Sequence, residues 1–429
     1  MSTPATSTTH PAAVSSDHIS SLDQLWPEII GSTSPSVLNQ RLKTLSQREQ
    51  SAGFLANLLA DGQDPLTLLL PERHTVAYLY ILCARLNSSS PGATPALHLI
   101  EGFCSRFKPE HARLAPDRVT ALAKGIVRAS ESGRNLKYAL KSLRDLVTRY
   151  PPHLSVLTTL HKELACITTH EFALALPVLS VPITDVDTNI SDLTYNDNLV
   201  YHYAGGIILA ALKMWREAEE FFEICVTAPG SVAAAIQLEA LKKMTLVQLI
   251  LYGKAVPPPK YASNILTRLI KSTPYAAFAK AYPDKVSNLE KVVEHDREIF
   301  LKEQNWGLIQ QAIGRAPRWL IQKLTSTYVT LGLSDISHEI GSDSEESVRE
   351  TIVSMIDSGD ITATISVDGT VTFSDPLTNV TKADVDRVLR EAQEQSRILL
   401  QVERKLSSSR EYITKASSEA ERRDLGDRR

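Results

Sequence analysis

Eleven histidines and four cysteines are the side chains of this 429-residue chain best suited to hold a metal or attack a substrate, so their spacing comes first. A helical zinc site needs two histidines four positions apart, or a His-x-His pair. His170-Glu171 and His338-Glu339 each lack the second histidine, and no His-x-His pair occurs, which leaves surface or capping roles for both. Cys83, Cys104, Cys166 and Cys225 lie at least twenty residues apart, outside the paired spacings of zinc and redox sites. They fall in or beside apolar helical stripes, so buried structural thiols in a reducing compartment are expected. No Gly-x-x-x-x-Gly-Lys loop is present to cradle phosphates, and Gly205-Gly206 sits in a helical pattern with no strand before it, which predicts close helix packing instead. A serine nucleophile leaves no local signature, because triad partners come from distant positions, and nothing singles one out here. The residues therefore predict no enzyme activity, no metal, no cofactor and no small-molecule substrate.

Surface for other macromolecules is what remains, and composition narrows the kind. A hydrophobic share of 43%, a charged share of 22% and a net charge of -3 are those of an ordinary globular protein and exert no long-range pull on nucleic acid. Apolar stretches such as Gly205 to Met214 fall short of the roughly 18 to 20 residues that a membrane span needs. Residues 1–21, rich in Ser, Thr, Pro and Ala, read as a disordered tail without a targeting pattern.

The elements that must position such a surface are helical. From about residue 22 to residue 330 apolar residues recur at spacings of three and four. Leu136, Ala139, Leu140, Leu143, Val147 and Tyr150 share one helix face, and Pro151 and Pro152 stop that helix. Val156, Leu157, Leu160, Leu164 and Ile167 line the next, so the two read as an antiparallel hairpin. The grammar recurs at 201–230, where Gly205 and Gly206 permit close approach, Trp215, Ala218, Phe222 and Cys225 form a packing stripe, and Pro229-Gly230 ends the unit. This resembles a tetratricopeptide-like repeat, and stacked repeats predict a solenoid over 22–270. The helix from Leu241 to Tyr252 is apolar nearly all round after Lys243, which predicts burial between neighbours before Gly253 and Pro257–Pro259 break the chain.

Beyond Trp319 the pattern changes. Residues 319–331 read as a helix, 333–341 as a short one, and 344–359 as a longer one with Ser344 as N-cap and Gly359 as its stop. Two strands follow: Ile361, Ala363 and Ile365 alternate with threonines, Asp368-Gly369 turns the chain, and Val371 and Phe373 alternate on the return. Three helices leading into a two-stranded wing make a winged helix over 319–376. Many such modules read DNA, but ten acidic residues stand against a single basic one, Arg349, between Asp335 and Asp375. That surface repels phosphate, so the wing is expected to contact protein through its strand edge, with Ile361, Ala363, Ile365, Val371 and Phe373 as interface candidates. A last helix spans 377–406. With Val385 as heptad position a, Ala392, Leu399 and Leu406 follow at a, and Val388, Gln395 and Val402 hold d. This narrow seam with one polar residue predicts a helix that joins partner helices, and the charged stretch 407–429 is expected to fray.

Helical repeats running into a winged helix and then one long helix resemble the plan of the PCI-domain proteins, scaffold subunits of the proteasome lid, the COP9 signalosome and translation initiation factor 3. The residues that carry the resemblance include Leu333, Ile336, Ile340, Val348, Ile352, Met355, Ile356, Gly359, Gly369, Val371 and Phe373. The resemblance implies an all-α-dominated fold with a PCI domain over 271–376, whose helical part is 271–331. Upstream, the Gly205-Gly206 repeat, the Ala240-Leu241-Lys242-Lys243 helix and the Gly253, Lys254, Pro258, Lys260, Tyr261 turn are similar to the signalosome branch, with the proteasome lid as the alternative. That branch implies a non-catalytic scaffold in the cytoplasm and nucleus. It implies partners among other PCI-domain and metalloprotease-fold subunits, one of which removes a ubiquitin-like modifier from cullins.

Overall fold

A computed structural model describes residues 21–46, 53–88, 95–132, 137–150, 166–181, 183, 192–230, 232–342, 344–374 and 381–426. Within the first half, α1 (Leu22–Gly31), α2 (Pro35–Ser46), α3 (Thr75–Asn87), α4 (Leu97–Arg106), α5 (Pro116–Ser132) and α6 (Lys137–Arg149) bury a shared apolar core. The α3 sequence TVAYLYILC has almost no polar face, and the helix is buried all round. Tyr78 of α3 stacks on Phe103 of α4 at 5.2 Å between ring centroids, and Phe103 on Phe107 at 5.5 Å. The α6 stripe is buried at Ala139, Leu140, Leu143, Val147 and Tyr150 as its spacing predicts. Leu136, Pro151, Pro152, Val156, Leu157, Leu160 and Leu164, like the tail over 1–20, lie outside the described residues.

The hairpin α7 (Tyr195–Ala211) and α8 (Trp215–Thr227) shows why two adjacent glycines stand in a helix interior, where each costs about 1 kcal/mol in propensity. A Cβ on Gly205 would come within 2.6 Å of the Phe221 ring, and one on Gly206 within 2.6 Å of the Phe222 ring. Their absence lets two aromatic rings of α8 lie directly on the α7 backbone. Helix α9 (Ala235–Tyr252) then packs on α8, and Gln237 at its start donates to the carbonyls of Cys225, Val226 and Ala228 at 3.0–3.3 Å. Those carbonyls close α8 and have no partner within their own helix.

After Gly253 come α10 (Asn264–Lys271), α11 (Pro274–Ala281), α12 (Val286–His295), α13 (Arg297–Lys302) and α14 (Trp306–Thr325). Pro317 lies inside α14, which continues through Trp319, where the sequence pattern had suggested a new start. The helix ends at Thr325, and Thr330–Gly332 is a strand, β1, instead of the helical end expected over 319–331. Aromatic and β-branched Tyr328 and Val329 lead into that strand at Thr330, and its ladder to a later strand outweighs the apolar spacing.

Contacts divide the chain into two compact units, one ending at Leu320 and also holding Glu339–Gly341, the other comprising Ile321–His338 and everything from Ser342 onward. The second unit holds β1, most of α15 (Leu333–Ile340), α16 (Glu345–Asp357), β2 (Thr362–Ile365), β3 (Thr370–Ser374), α17 (Lys382–Ser408) and α18 (Arg410–Gly426). The stretch expected to fray is thus helical over α18. Its Glu, Ala, Lys and Arg residues are strong helix formers, and Ser409 accepts from the Tyr412 N–H at 3.3 Å at its start.

Candidate assembly interface

The winged helix is built around one small sheet of strand order β1-β3-β2, all antiparallel. The wing therefore has three strands, not two, with β3 in the centre. Ala363 faces Phe373 and Ile365 faces Val371 on one side of β3, while Leu331 faces Val371 on the other. Ser366 donates to and accepts from Thr370 and Gly369 around the turn, where Gly369 adopts φ +83°, a left-handed value that favours glycine. Ser344 caps α16 by accepting from the Ser347 N–H at 3.4 Å, and Gly359 at φ +72° ends it, as the spacing predicts.

Four of the five wing candidates prove to be core. Ile361, Ala363, Val371 and Phe373 are all buried, together with Val348, Ile352 and Met355 of α16. Strand alternation explains this: one face of each strand must cover the helices, and the apolar face is the one that does. Their side chains cannot reach a partner. What the wing offers outward is the backbone edge of β2, the half-buried Ile365, and the fully exposed Val367 at its tip. The exposed side chains around it are acidic: Asp335, Glu345, Glu346, Glu350, Asp357 and Asp368 face solvent, and Arg349 lies 3.9 Å from Glu346.

Helix α17 differs in kind. Thr381 and Asp384 form a reciprocal capping box at its start, yet over the helix's 27 residues not one is buried. The seam predicted from the heptads stands open to solvent at Val385, Val388, Ala392, Gln395, Leu399, Val402 and Leu406, with Leu399 68% and Leu406 57% exposed. Leu389, Ile398 and Leu400 are exposed beside it and widen the apolar face beyond the a and d positions. The heptad template passed over these three because it counts only the narrow seam of a coiled coil. A broader face suits a helix surrounded by several others. At Ser409 the backbone turns extended and separates α17 from α18, which adds exposed Tyr412 and Ile413.

Elsewhere, chemistry is scarce. No group of three metal-binding side chains exists among the described residues. All four cysteines are buried, and burial pushes the Cys83 and Cys225 thiols up to about 12, so neither is a thiolate near neutrality. His170 holds a left-handed φ of 59° in a turn and its ring meets Phe172 edge-on at 5.7 Å; His338 is exposed on α15. A groove of about 830 Å³ beside α7 and α8 is lined mostly by apolar side chains such as Leu179, Met214 and Phe221. The His202 ring nitrogen Nδ1 there is occupied by the Asn198 carbonyl at 2.9 Å, and burial lowers its pKa.

One cluster went unread in the sequence. Lys242 and Lys243 are each 5% exposed despite their charge. Lys242 Nζ bridges Glu239 at 2.7 Å and Glu303 at 2.8 Å, Tyr275 donates to Glu303 at 2.7 Å, Asn305 donates to Tyr275 at 2.6 Å, and Lys243 donates to Asn305. Burial brings the Lys243 ammonium down to about 8. The network ties α9 to the turn between α13 and α14. The hint in the sequence was two adjacent lysines in the middle of α9, just before its apolar second half.

The comparisons with known proteins converge on this architecture. The family model for the N-terminal helical repeats of COP9 signalosome complex subunit 3 matches residues 35–266, more than half of the chain. The chain belongs to the COP9 signalosome subunit 3 family. A PCI-domain model matches residues 292–375. The chain is similar to a COP9 signalosome complex subunit 3 of Dictyostelium discoideum, 28% identical over 90% of this chain and 93% of that one. It is also similar to one of Drosophila melanogaster, 29% identical over 76% and 78%. Membership sets aside the proteasome-lid alternative and makes the chain a subunit of a multi-subunit assembly.

Proposed function

We propose that the chain is a non-catalytic scaffold that enters its complex through α17 and supports removal of a ubiquitin-like modifier from cullins by a separate metalloprotease-fold subunit. The observation that carries this reading is a long, capped helix with no buried residue and a continuous apolar face. Each Leu or Val seated against neighbouring helices contributes on the order of 1.5–3 kcal/mol, so several together suffice for stable association. The partners are PCI-domain and metalloprotease-fold subunits, with the β2 edge of the wing as a second contact. Nucleic acid is disfavoured by the acidic module, and the Cys83 and Cys225 thiols are held protonated. Free thiols suit the reducing cytoplasm and nucleus.

The test is the double change Leu399→Asp with Val402→Asp, beside a chain ending at residue 376, co-expressed with the other subunits. Both variants are expected to lose most co-purifying partners while circular dichroism stays helical. Wild-type recovery of the full complex would place the interface elsewhere.

A further inference from the structure

The loop that leaves α9 carries a sequence that the assembly role does not use. Gly253 ends the helix at φ +68°, and a Cβ there would come within 2.7 Å of the Trp319 indole, so the chain departs close against that ring. It then reads Lys254-Ala255-Val256-Pro257-Pro258-Pro259-Lys260-Tyr261, of which residues 255–259 belong to no helix or strand. Three successive prolines fix φ near −65° and remove three N–H donors, which favours the polyproline II conformation, a helix with no internal hydrogen bonds. Both ends of the segment are tied down. The Val256 N–H donates to Gln248 Oε1 at 2.9 Å, and the Ala262 N–H donates to the Pro259 carbonyl at 2.9 Å, closing a turn over Lys260 and Tyr261. Ala262 is buried, whereas Tyr261 is 74% exposed, and Pro258 and Pro259 keep part of their surface open.

The Tyr261 ring, at the end of the proline run, leaves most of its surface to solvent. The turn over Lys260 and Tyr261 sets the exposed ring directly after the end of the proline run. We propose that Pro258-Pro259-Lys260-Tyr261 is a docking site for a proline-reading module of the WW class. The aromatic groove of such a domain takes the proline pair, and a neighbouring pocket takes the tyrosine. Prolines and a closed turn reduce the conformational freedom lost on binding, and the tyrosine supplies a rigid anchor. Exposed Lys254 precedes the motif and exposed Lys260 lies within it, and both favour a reader with an acidic rim.

The experiment titrates the full chain with an isolated WW domain of the Pro-Pro-x-Tyr-reading type, using an SH3 domain as a second proline reader. Saturable binding of the WW domain is expected, competed by a peptide of residues 254–263. Tyr261→Ala and Pro258→Ala should each weaken binding at least about tenfold, a loss typical of a central aromatic anchor. Circular dichroism and co-purification of both variants with the assembly should be unchanged, which keeps this result separate from the role of α17. Binding unaffected by Tyr261→Ala, binding of the SH3 domain in place of the WW domain, or binding by the peptide but not by the full chain would each overturn the proposal.

Discussion

At the scale of single residues, the chain protects buried charge and buried sulfur by different means. Glu303 serves two buried partners, Lys242 and Tyr275, so its removal leaves both short of an acceptor. Glu303→Ala is expected to destabilise the fold by about 1–3 kcal/mol, the cost of orphaning buried polar groups, with Glu303→Gln intermediate because it still accepts from Tyr275. Urea midpoints followed by tryptophan fluorescence check the order. Sulfur is protected by burial, with the Cys83 and Cys225 thiols donating to the carbonyls of Arg118 and Leu199. Because the Cys83 and Cys225 thiols rise from an ordinary 9.0 to about 12, their contribution to stability is complete below pH 9 and is lost as pH climbs toward 12. Lys243 acts oppositely, since the unfolded chain holds its proton between about 8 and 10.5 and the native chain does not, so its burial costs least above that window. At pH 8 Ellman's reagent should find no reactive thiol in the native chain and all four after unfolding. Prompt labelling of native protein would contradict the burial.

At the scale of elements, the wing separates lesions of folding from lesions of assembly. Val371 lies on the central strand and pairs with Leu331 and Ile365, so Val371→Pro removes interior ladder bonds and should unfold the module. Ile365 ends an edge strand, and Ile365→Pro is expected to leave the module folded while lowering recovery of partner subunits. Circular dichroism with co-purification distinguishes the two, and equal unfolding by both would remove the edge from consideration. These strands also show what the sequence carried and what it did not. Helix α16, its Ser344 cap and the turn at Gly369 follow from local residue types and were legible. Strand β1 was not, because three residues acquire strand geometry only by pairing with β3 some forty positions later. The same limit applies to the candidate site. Period-2 alternation identified Ile361, Ala363, Val371 and Phe373 as one face without saying whether that face looks inward. The helical span of α17 was legible because the Thr381–Asp384 capping box and the helix formers behind it are local signals.

At the scale of the whole molecule, the first unit holds its core through glycine-enabled packing and a buried polar network, while α17 contributes to no core at all. The isolated full-length chain should therefore self-associate with rising concentration through Leu399, Val402 and Leu406, as sedimentation velocity can show. The Leu399→Asp, Val402→Asp variant should stay monomeric over the same range. A patch of this size facing water is uncommon on proteins that live alone. A helix that is greasy until it is matched also works as a tally of supply and demand. With α17 as the contact proposed above, copies made in excess of their companions would keep the stripe on display, where chaperones and proteases that recognise exposed apolar helix would find them, whereas placed copies would hide it. The cellular amount of the chain would then follow the scarcest of its companions, and balance among the components would come from the surface of the orphan itself.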